Sequence, residues 1–484
     1  MKARTAGMAI VTLFVFVCVS WILSCAVNPV TGDRELMLLS KQDEIALGKQ
    51  TDAQIIQTYG IYENEDLNRY LEDLGSRMAA VTHRPDLPYT FRVLDASVVN
   101  AFAVPGGFVY FTRGILAYLN SEAELAGVMG HELGHIAARH SAVQYSRSTL
   151  ANLGLGLGSM LSEKFREYAG MAQFGVGLLF LKFSRDNERQ SDDLGVEYSV
   201  KMGYDATAMA QFFQTLERLH PSSGQSGLPE WFSTHPNPEN RVKAVNEKAA
   251  AWKAKTPEKQ YAVKEEAYLR RLDGMIFGED PRQGYVEENA FYHPVMTFVV
   301  PVPSNWKVNN TPSQVQMISS SEDALLMLTV QQNANSAQSA SEFVSQTEAT
   351  VLSRKSVKVN GMAAERLISE IADQQQLLQV MSYFVQKDNS VFTIHGLSGK
   401  EVFSQNQSLF SNTMQGFRRL TDPQKINVKP ARLKVRESRR SGSAKEVLSS
   451  MGVAAGHLED IILLNGLSMN DRIEKGDLVK IVEE

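Results

Sequence analysis

The stretch HELGHIAARH, residues 131–140, decides the fold expected for the first half of the chain. Two histidines stand four residues apart, and a glutamate directly follows the first of them. Upstream, Ser121 and Glu124 form a capping-box pattern, so a helix is expected to begin there and to run through both histidines. Four residues advance an α-helix by a little over one turn, which places His131 and His135 on one face. Two imidazoles in that geometry can share one metal ion.

The residue types around this spacing point to zinc. Neutral imidazole nitrogens are good zinc ligands, and a glutamate beside them can reach a metal-bound water. Glu132 is therefore the candidate general base, and His131 and His135 are candidate ligands of one Zn²⁺ per chain. An amphipathic helix that merely carries histidine shows the same pattern, which arises by chance in on the order of 1% of chains of this size. A third protein ligand is needed, because catalytic zinc takes three and leaves a fourth position for water or substrate.

The best candidate for that third ligand lies on the next amphipathic helix, LLFLKFSRDNERQSDDLGVEYSV, residues 178–200. Glu188 and Asp192 are four residues apart on it. One can reach the metal while the other, a turn away, hydrogen-bonds to a ligand histidine. Charged residues are common on helices, so this assignment depends on its context.

That context is a family resemblance. HELGHIAARH, NERQSD and STHPNPENR, in this order, resemble the gluzincin metallopeptidase family that includes the type-one CaaX prenyl protease, the mitochondrial Oma1 protease and the periplasmic beta-barrel assembly-enhancing protease. The resemblance covers roughly residues 30–250. It implies that Glu188 is the metal ligand and that Asp192 supports a ligand histidine. Ser191 stands where alanine is usual, a change in a small side chain that we expect to be harmless.

The same resemblance implies further site residues and an activity. It places His235 on a loop at the active-site rim, where the histidine can meet the metal or the tetrahedral intermediate. His140 and Arg241 match positions from which they can orient ligands or substrate. The activity implied is zinc-dependent endopeptidase, in which Glu132 takes a proton from zinc-bound water and returns it to the departing amine. A thermolysin-like secreted protease is disfavoured by the long gap between the histidine pair and Glu188.

A short sheet is expected just before the histidine helix. YTFRVLD, residues 89–95, and NAFAVPGGFVYFT, residues 100–112, are typical of strands, with a Pro-Gly-Gly turn inside the second stretch. An edge strand there could pair with an extended substrate peptide by β-augmentation. The residues that would do so are Asn100, Ala101, Phe102 and Ala103.

The fold class expected is multidomain. It comprises a mainly α zincin-type metalloprotease domain with a small β-sheet, then an α+β domain, then a small βααβ LysM-like unit. Changes of hydrophobic period and charged stretches place the boundaries. They are a signal peptide at 1–24, the metalloprotease domain at 25–252, a linker at 253–285, the α+β domain at 286–420, a linker at 421–430 and the LysM-like domain at 431–484.

The last unit resembles a glycan-binding module. LLNGLSMNDRIEKGDLVKIV, residues 463–482, is similar to the second half of a LysM domain, in which an asparagine ends a helix and a glycine precedes the last strand. Asn465 and Gly476 occupy those positions. LysM modules bind glycans that contain N-acetylglucosamine, so the resemblance implies peptidoglycan as a partner. A unit that only packs against its neighbours is the open alternative.

The N-terminus is typical of an export signal. Lys2 and Arg4 precede the apolar run MAIVTLFVFVCVSWILS, residues 8–24. The following ILSC resembles a bacterial lipobox and predicts lipidation at Cys25. Ala26 resembles lipoproteins sorted to the outer membrane, so an outer-membrane lipoprotein that faces the periplasm is expected. An uncleaved inner-membrane anchor is the alternative, because the run is close to the length that spans a bilayer.

Two further apolar stretches, residues 150–161 and 168–181, are each too short to span a bilayer. They are expected to be helices that either pack over the cleft, as a lid, or belong to the core. The sequence alone leaves both interpretations open.

Composition narrows the partners. Hydrophobic residues make up 43% and charged residues 21% of the 484 residues, as in ordinary globular proteins, and the net charge of −5 argues against a nucleic-acid partner. The expected partners are unfolded or misassembled envelope polypeptides and the membrane, through the N-terminal lipid. The alternative function is a non-catalytic envelope chaperone or peptidoglycan-binding scaffold. The intact Glu132 argues against that alternative.

Overall fold

The structure is a computed structural model that describes residues 25–155, 183–219, 231, 234–237, 240–372 and 377–483. The expected signal peptide and most of the two further apolar stretches lie outside these residues. Within them, no helix has the length and apolar character needed to cross a membrane.

The first half of the described chain is mainly helical, as the hydrophobic spacing predicted. It opens with a hairpin of two short antiparallel strands, β1 (Cys25–Val27) and β2 (Arg34–Leu36). The helices that follow are α1 (Lys41–Tyr59), α2 (Glu65–Ala79), α3 (Arg113–Tyr118), α4 (Glu122–Ala137), α5 (His140–Leu155), α6 (Arg185–Met202), α7 (Thr207–Arg218), α8 (Arg241–Lys255) and α9 (Glu265–Leu272).

The predicted sheet lies between α2 and α3. Its strands are β3 (Thr90–Leu94), β4 (Ala101–Val104) and β5 (Phe108–Thr112), in the order β3-β5-β4. β3 runs parallel to β5, and β4 runs antiparallel to it. β4 is therefore an edge strand, as the interpretation of residues 100–103 required. In the turn before β5, Gly106 has φ +88°, and an added Cβ would lie 2.6 Å from the carbonyl oxygen of Glu44.

The histidine helix α4 starts where the sequence predicted. Ser121 is its N-cap and accepts from the backbone N–H of Glu124 at 3.1 Å, while the Glu124 carboxylate accepts from the N–H of Asn120. Glycines then let α4 and α6 approach closely, because a Cβ on Gly130 would lie only 3.0 Å from the Cα of Gly195. This close packing brings the histidine face of α4 against α6.

The segment at 253–285, expected to be a linker, contains a helix that is packed into the core. α9 lies within it, and Tyr268 and Leu272 of α9 are fully buried in the same core as the helices of the first half. The Tyr268 hydroxyl donates to the carbonyl oxygen of Leu116 at 2.8 Å. Sequence reasoning missed α9 because the helix is short, and charged residues fill its exposed face.

The next unit has the α+β organisation that its alternating strands predicted. One four-stranded sheet has the order β16-β8-β7-β6, and one seven-stranded antiparallel sheet has the order β12-β13-β14-β15-β11-β10-β9. The strands are β6 (Tyr285–Glu287), β7 (Ala290–His293), β8 (Phe298–Pro301), β9 (Lys307–Asn310), β10 (Gln314–Ile318), β11 (Ala324–Gln332), β12 (Thr350–Val359), β13 (Met362–Ala372), β14 (Leu377–Lys387), β15 (Ser390–Gly399) and β16 (Arg418–Arg419).

Two helices cover opposite faces of the large sheet. They are α10 (Ser336–Thr347) and α11 (Lys400–Gln415). Neighbouring residues of β14 show the alternation, because Tyr383 belongs to the core that includes α11 and Phe384 to the core that includes α10.

The C-terminal unit has the predicted strand–helix–helix–strand order. Its main elements are β17 (Arg432–Glu437), α13 (Ala444–Ser450), α14 (Leu458–Leu464) and β20 (Leu478–Glu483), and β17 pairs with β20 antiparallel. The remaining short elements are α12 (Pro423–Ile426), β18 (Gly442–Ser443) and β19 (Arg472–Ile473). The apolar side chains of this unit share one continuous core with the helical first half.

Candidate metal centre

Four side chains meet at the face where α4 packs on α6. Their candidate ligand atoms all lie within 4.8 Å of one another, and the residues are His131, His135, Glu188 and His235. Each of these residues is at most 1% exposed. The two histidines of α4 and the glutamate of α6 were predicted as ligands, and His235 lies with them in the cluster.

Four of the separations between these atoms are close to those around one bound ion. Zinc with bonds of about 2.0–2.1 Å to nitrogen and oxygen separates its ligand atoms by about 3.3 Å. Nε2 of His131 lies 3.1 Å from Nε2 of His135 and 3.3 Å from Nδ1 of His235. Oε1 of Glu188 lies 3.1 Å from Nδ1 of His235 and 3.4 Å from Nε2 of His135. A cation at the centre would accept lone pairs that otherwise face one another.

The outer nitrogen of His131 is held by an acid–guanidinium pair. Its Nδ1 lies 2.9 Å from Oδ1 of Asp192. Arg241 donates to both oxygens of that carboxylate, from Nη2 at 2.7 Å and from Nε at 2.9 Å. With Nδ1–H donating to Asp192, Nε2 of His131 keeps its lone pair for a metal. Asp192 and Arg241 thus occupy the supporting positions expected from the sequence.

The outer nitrogen of His135 is held by a chain of neutral groups. Its Nδ1 lies 3.0 Å from Nδ1 of His140, whose Nε2 lies 2.8 Å from Oε1 of Gln190. If Nδ1–H of His135 donates to His140, then Nε2–H of His140 donates to the Gln190 amide oxygen. Burial lowers the pKa of His140 to about 4, which favours this neutral form. His140 therefore lies where it can orient a ligand histidine.

The protonation states of the three predicted ligands match those that a metal needs. Burial lowers the pKa of His131 and of His135 well below its usual value, so both rings are neutral at pH 7. Burial raises the pKa of Glu188, but the neighbouring His235 and His135 outweigh it and hold this pKa well below its usual value. Neutral imidazole and ionised carboxylate are the forms that bind a metal.

Glu132 lies beside the ligand cluster and makes no side-chain hydrogen bond to the described residues. Both of its carboxylate oxygens are buried. Oε1 lies 3.7 Å from Nε2 of His235. Burial raises the pKa of Glu132 to about 8, and a nearby cation would lower it. An unpaired buried carboxyl next to a metal site is placed for proton transfer rather than for stability.

Aromatic rings and the His235 segment close the site. The Trp231 ring stacks on His235 with centroids 4.3 Å apart, and the Phe183 ring stacks on His135 at 4.0 Å. The backbone N–H of His235 donates to the carbonyl oxygen of Trp231 at 2.8 Å. Sequence reasoning singled out neither aromatic residue, although Trp231 precedes the recognised motif by only a few positions.

The edge strand β4 borders this closed site. The backbone N–H of Trp231 donates to the carbonyl oxygen of Val99, just before β4. Of the predicted substrate residues, Asn100 precedes the strand and Ala101 to Ala103 belong to it. The segment that carries His235 is therefore attached to the entrance of the predicted peptide-binding edge.

The family model described as Peptidase family M48 matches residues 65–249 of the chain. This segment contains α4, α6 and all four residues of the ligand cluster.

Curated relatives match over similar lengths. The beta-barrel assembly-enhancing protease of Escherichia coli is 30% identical over 220 residues, which cover 44% of this chain and 45% of the relative. The mitochondrial metalloendopeptidase OMA1 of Bos taurus is 27% identical over 251 residues, 46% of this chain and 45% of the relative. The chain thus spans less than half the length of each of these relatives. Among solved structures, cyanobacterial PsbP from Synechocystis is 10% identical, with a TM-score of 0.23, over 27% of this chain and 91% of PsbP.

Proposed function

We propose that the chain is a zinc-dependent endopeptidase, because the model of Peptidase family M48 matches residues 65–249, which hold the ligand cluster. One observation carries the proposal: four buried candidate ligand atoms lie within 4.8 Å of one another, and the Glu132 carboxylate lies beside them without a hydrogen bond. When bound, zinc would polarise the scissile carbonyl and lower the pKa of a water towards about 7. His131, His135 and Glu188 are the proposed ligands for one zinc per chain.

The chain's own residues move the proton and hold the ligands. Glu132 takes the proton from the attacking water and returns it to the departing amine, so no covalent intermediate is needed. Asp192 and Arg241 fix the ring of His131, and His140 fixes the ring of His135. An extended substrate pairs with β4, whose backbone edge recognises a peptide with little regard for its side chains.

His235 has two possible places in this mechanism. As a fourth ligand it would fill the position that a catalytic site keeps open for water or substrate. Cleavage then requires the side chain of His235 to leave the ligand cluster. Once displaced, His235 stays at the rim, where it can stabilise the tetrahedral intermediate.

The proposed location is the periplasmic face of the outer membrane, through a lipid on Cys25, with inner-membrane anchoring as the alternative. The proposed substrates are unfolded or misassembled envelope polypeptides. The names of the relatives support envelope assembly, because one of them is a beta-barrel assembly-enhancing protease. The LysM-like unit would add contact with peptidoglycan. A non-catalytic chaperone or scaffold is the competing function, and the unpaired Glu132 argues against it.

The test uses the full chain, purified in detergent and loaded with zinc. We expect about one zinc per chain by mass spectrometry and cleavage of casein. The variant Glu132→Gln should keep the zinc, because the residue lies beside the ligand set, and should lose nearly all cleavage. The exposed residue Glu247 provides a matched control, and Glu247→Gln should cleave like the parent. Equal cleavage by Glu132→Gln and the parent would remove Glu132 from the mechanism, and absence of bound zinc would remove the metalloprotease proposal.

A further inference from the structure

We propose that the N-terminal hairpin is a short, rigid tether that holds the active site at the bilayer surface, so that the substrates are juxtamembrane polypeptide segments. This inference rests on the proposed function, since it takes Cys25 as the lipid-bearing residue and the metal centre as a protease. It adds the substrate class, namely extended segments of proteins inserted in or attached to the same bilayer.

Ordered contacts begin within three residues of Cys25. Asn28 is 2% exposed, and its side-chain oxygen accepts from the backbone N–H groups of Val30 and Thr31. The backbone of Asn28 also exchanges hydrogen bonds with Asp33 and Gly32 across the turn. The hairpin is therefore a folded element rather than a flexible spacer.

The hairpin is fastened to the end of the histidine helix. Nδ2 of Asn28 donates to the carbonyl oxygen of Ala138 at 3.3 Å, directly after α4 ends. Further on, the N–H of Leu38 donates to the Ser146 hydroxyl at 3.0 Å. Met37 packs in a small core with Ala142 and Val143 of α5.

Arginine side chains lock the same junction. Arg139, between α4 and α5, donates to the carbonyl oxygen of Leu39 at 2.8 Å and pairs with the buried carboxylate of Glu44. Arg84 also pairs with Glu44, at 2.9 Å, and donates to the carbonyl oxygen of Ile136 at 3.2 Å. A salt-bridged core of this kind resists the hinge motion that a loose tether would need.

These contacts limit the distance between lipid and metal centre. Three extended residues span at most about 11 Å, from Cys25 to Asn28. The path from Ala138 back to His135 is another three residues, about 5 Å along a helix. With the lengths of the side chains included, the path from Cys25 to the metal centre is on the order of 30 Å at most.

Exposed apolar side chains on the same segment fit a lipid surface. Val27, in the hairpin two residues after Cys25, is 55% exposed, and Leu38, two residues after β2, is 41% exposed. Contact with acyl chains or lipid head groups would cover these large hydrophobic side chains. An apolar residue near a lipidated cysteine adds to the membrane affinity of the lipid itself.

The first test measures reach on phosphatidylethanolamine–phosphatidylglycerol vesicles that carry the lipidated full chain. A single-span reporter presents one unfolded casein segment either next to the bilayer or beyond a 60-residue helical spacer of about 90 Å. We expect the near segment to be cleaved at least about tenfold faster.

Forty Gly/Ser residues inserted after Ala26 should bring the two rates within about threefold, because that insertion extends the reach by up to about 130 Å. The same insertion after Ser321, in an exposed turn, should leave the preference unchanged. Equal cleavage of both reporters by the parent would overturn the inference.

The second test does not depend on proteolysis. Leu38→Cys introduces the single free thiol of the lipidated protein, since the chain has no cysteines other than Cys18 and Cys25. A fluorophore on that thiol should be quenched by lipids with nitroxide head groups, and the insertion after Ala26 should relieve the quenching by at least about half. A label that is not quenched in the parent overturns the rigid tether, whatever the activity. Quenching without casein cleavage in detergent would instead remove the protease and retain the tether.

Discussion

Glu188 supplies the negative charge of the metal centre. Its carboxylate lies within 3.5 Å of Nε2 of His131 and of His135, and within 3.1 Å of Nδ1 of His235. The neutral rings of His131 and His135 contribute lone pairs but no charge. A divalent ion in a fully buried site therefore depends on this one carboxylate for much of its charge compensation.

This dependence predicts different metal contents for two variants of helix α6. Glu188→Ala should lower zinc occupancy at least about tenfold at limiting zinc, because it removes a ligand and its charge. Glu197→Ala removes a carboxylate of the same helix that pairs with Lys201 and lies away from the cluster. It should bind zinc like the parent. Zinc content by mass spectrometry after dialysis against a weak chelator is the measurement, and equal zinc in both variants would place the third ligand elsewhere.

The ring of His235 lies with the three predicted ligands in the cluster. The backbone N–H of Trp231 donates to the carbonyl oxygen of Val99, and the carbonyl oxygen of Thr234 accepts from the N–H of Phe183. His235 itself contacts Glu188. The last contact is the one that a metal would replace by coordination. Loss of the His235 ring should therefore free the fourth position and leave the other three ligands in place.

The corresponding variant is His235→Ala. We expect it to keep about one zinc per chain at saturating zinc and to cleave casein several-fold faster than the parent, because water can enter without displacing a side chain. His457→Ala removes an exposed histidine of the C-terminal unit and should change neither quantity. Retained zinc with slower cleavage would mean that His235 acts on the tetrahedral intermediate and does not limit access.

Local spacing accounts for the parts of the site that could be predicted. The histidine pair follows from helical periodicity and the N-cap at Ser121, and the small sheet follows from alternating residues around a Pro-Gly-Gly turn. The stacking of Trp231 and Phe183 on the ligand rings depends on how distant segments meet, which no local pattern encodes. The burial of α9 was missed for the same reason, because its short apolar face has meaning only against the helices that it covers.

At the scale of the whole molecule, the C-terminal unit is packed against the first half of the chain and is not an isolated module. Lys480 of β20 is fully buried and donates to the carbonyl oxygens of Ala117 and Leu119, at the end of α3, at 2.6 and 2.9 Å. Burial raises the pKa of Glu124 in α4 to about 7, and the Lys480 charge opposes that rise. α9 packs against both β17 and β20. The unit is thus connected to the start of the histidine helix, which a separate glycan-binding module would not require.

This connection predicts that damage to the C-terminal unit destabilises the protease domain. Lys480→Met keeps the length of the side chain but leaves two buried carbonyls at the end of α3 without a donor, for an expected loss of about 2 kcal/mol in the free energy of unfolding. Lys475→Met, at an exposed position of the same unit, should change the free energy of unfolding by less than about 0.5 kcal/mol.

The measurement is urea unfolding of the soluble chain, residues 27–484. Replacing Trp306 by Phe leaves tryptophan only at 231 and 252, so the fluorescence reports on the first domain alone. An unfolding midpoint that does not move in Lys480→Met would show that the two units unfold independently, and it would favour a separate LysM-like module. A lower midpoint, with loss of zinc in the same transition, would mean that the C-terminal unit is part of the folded protease.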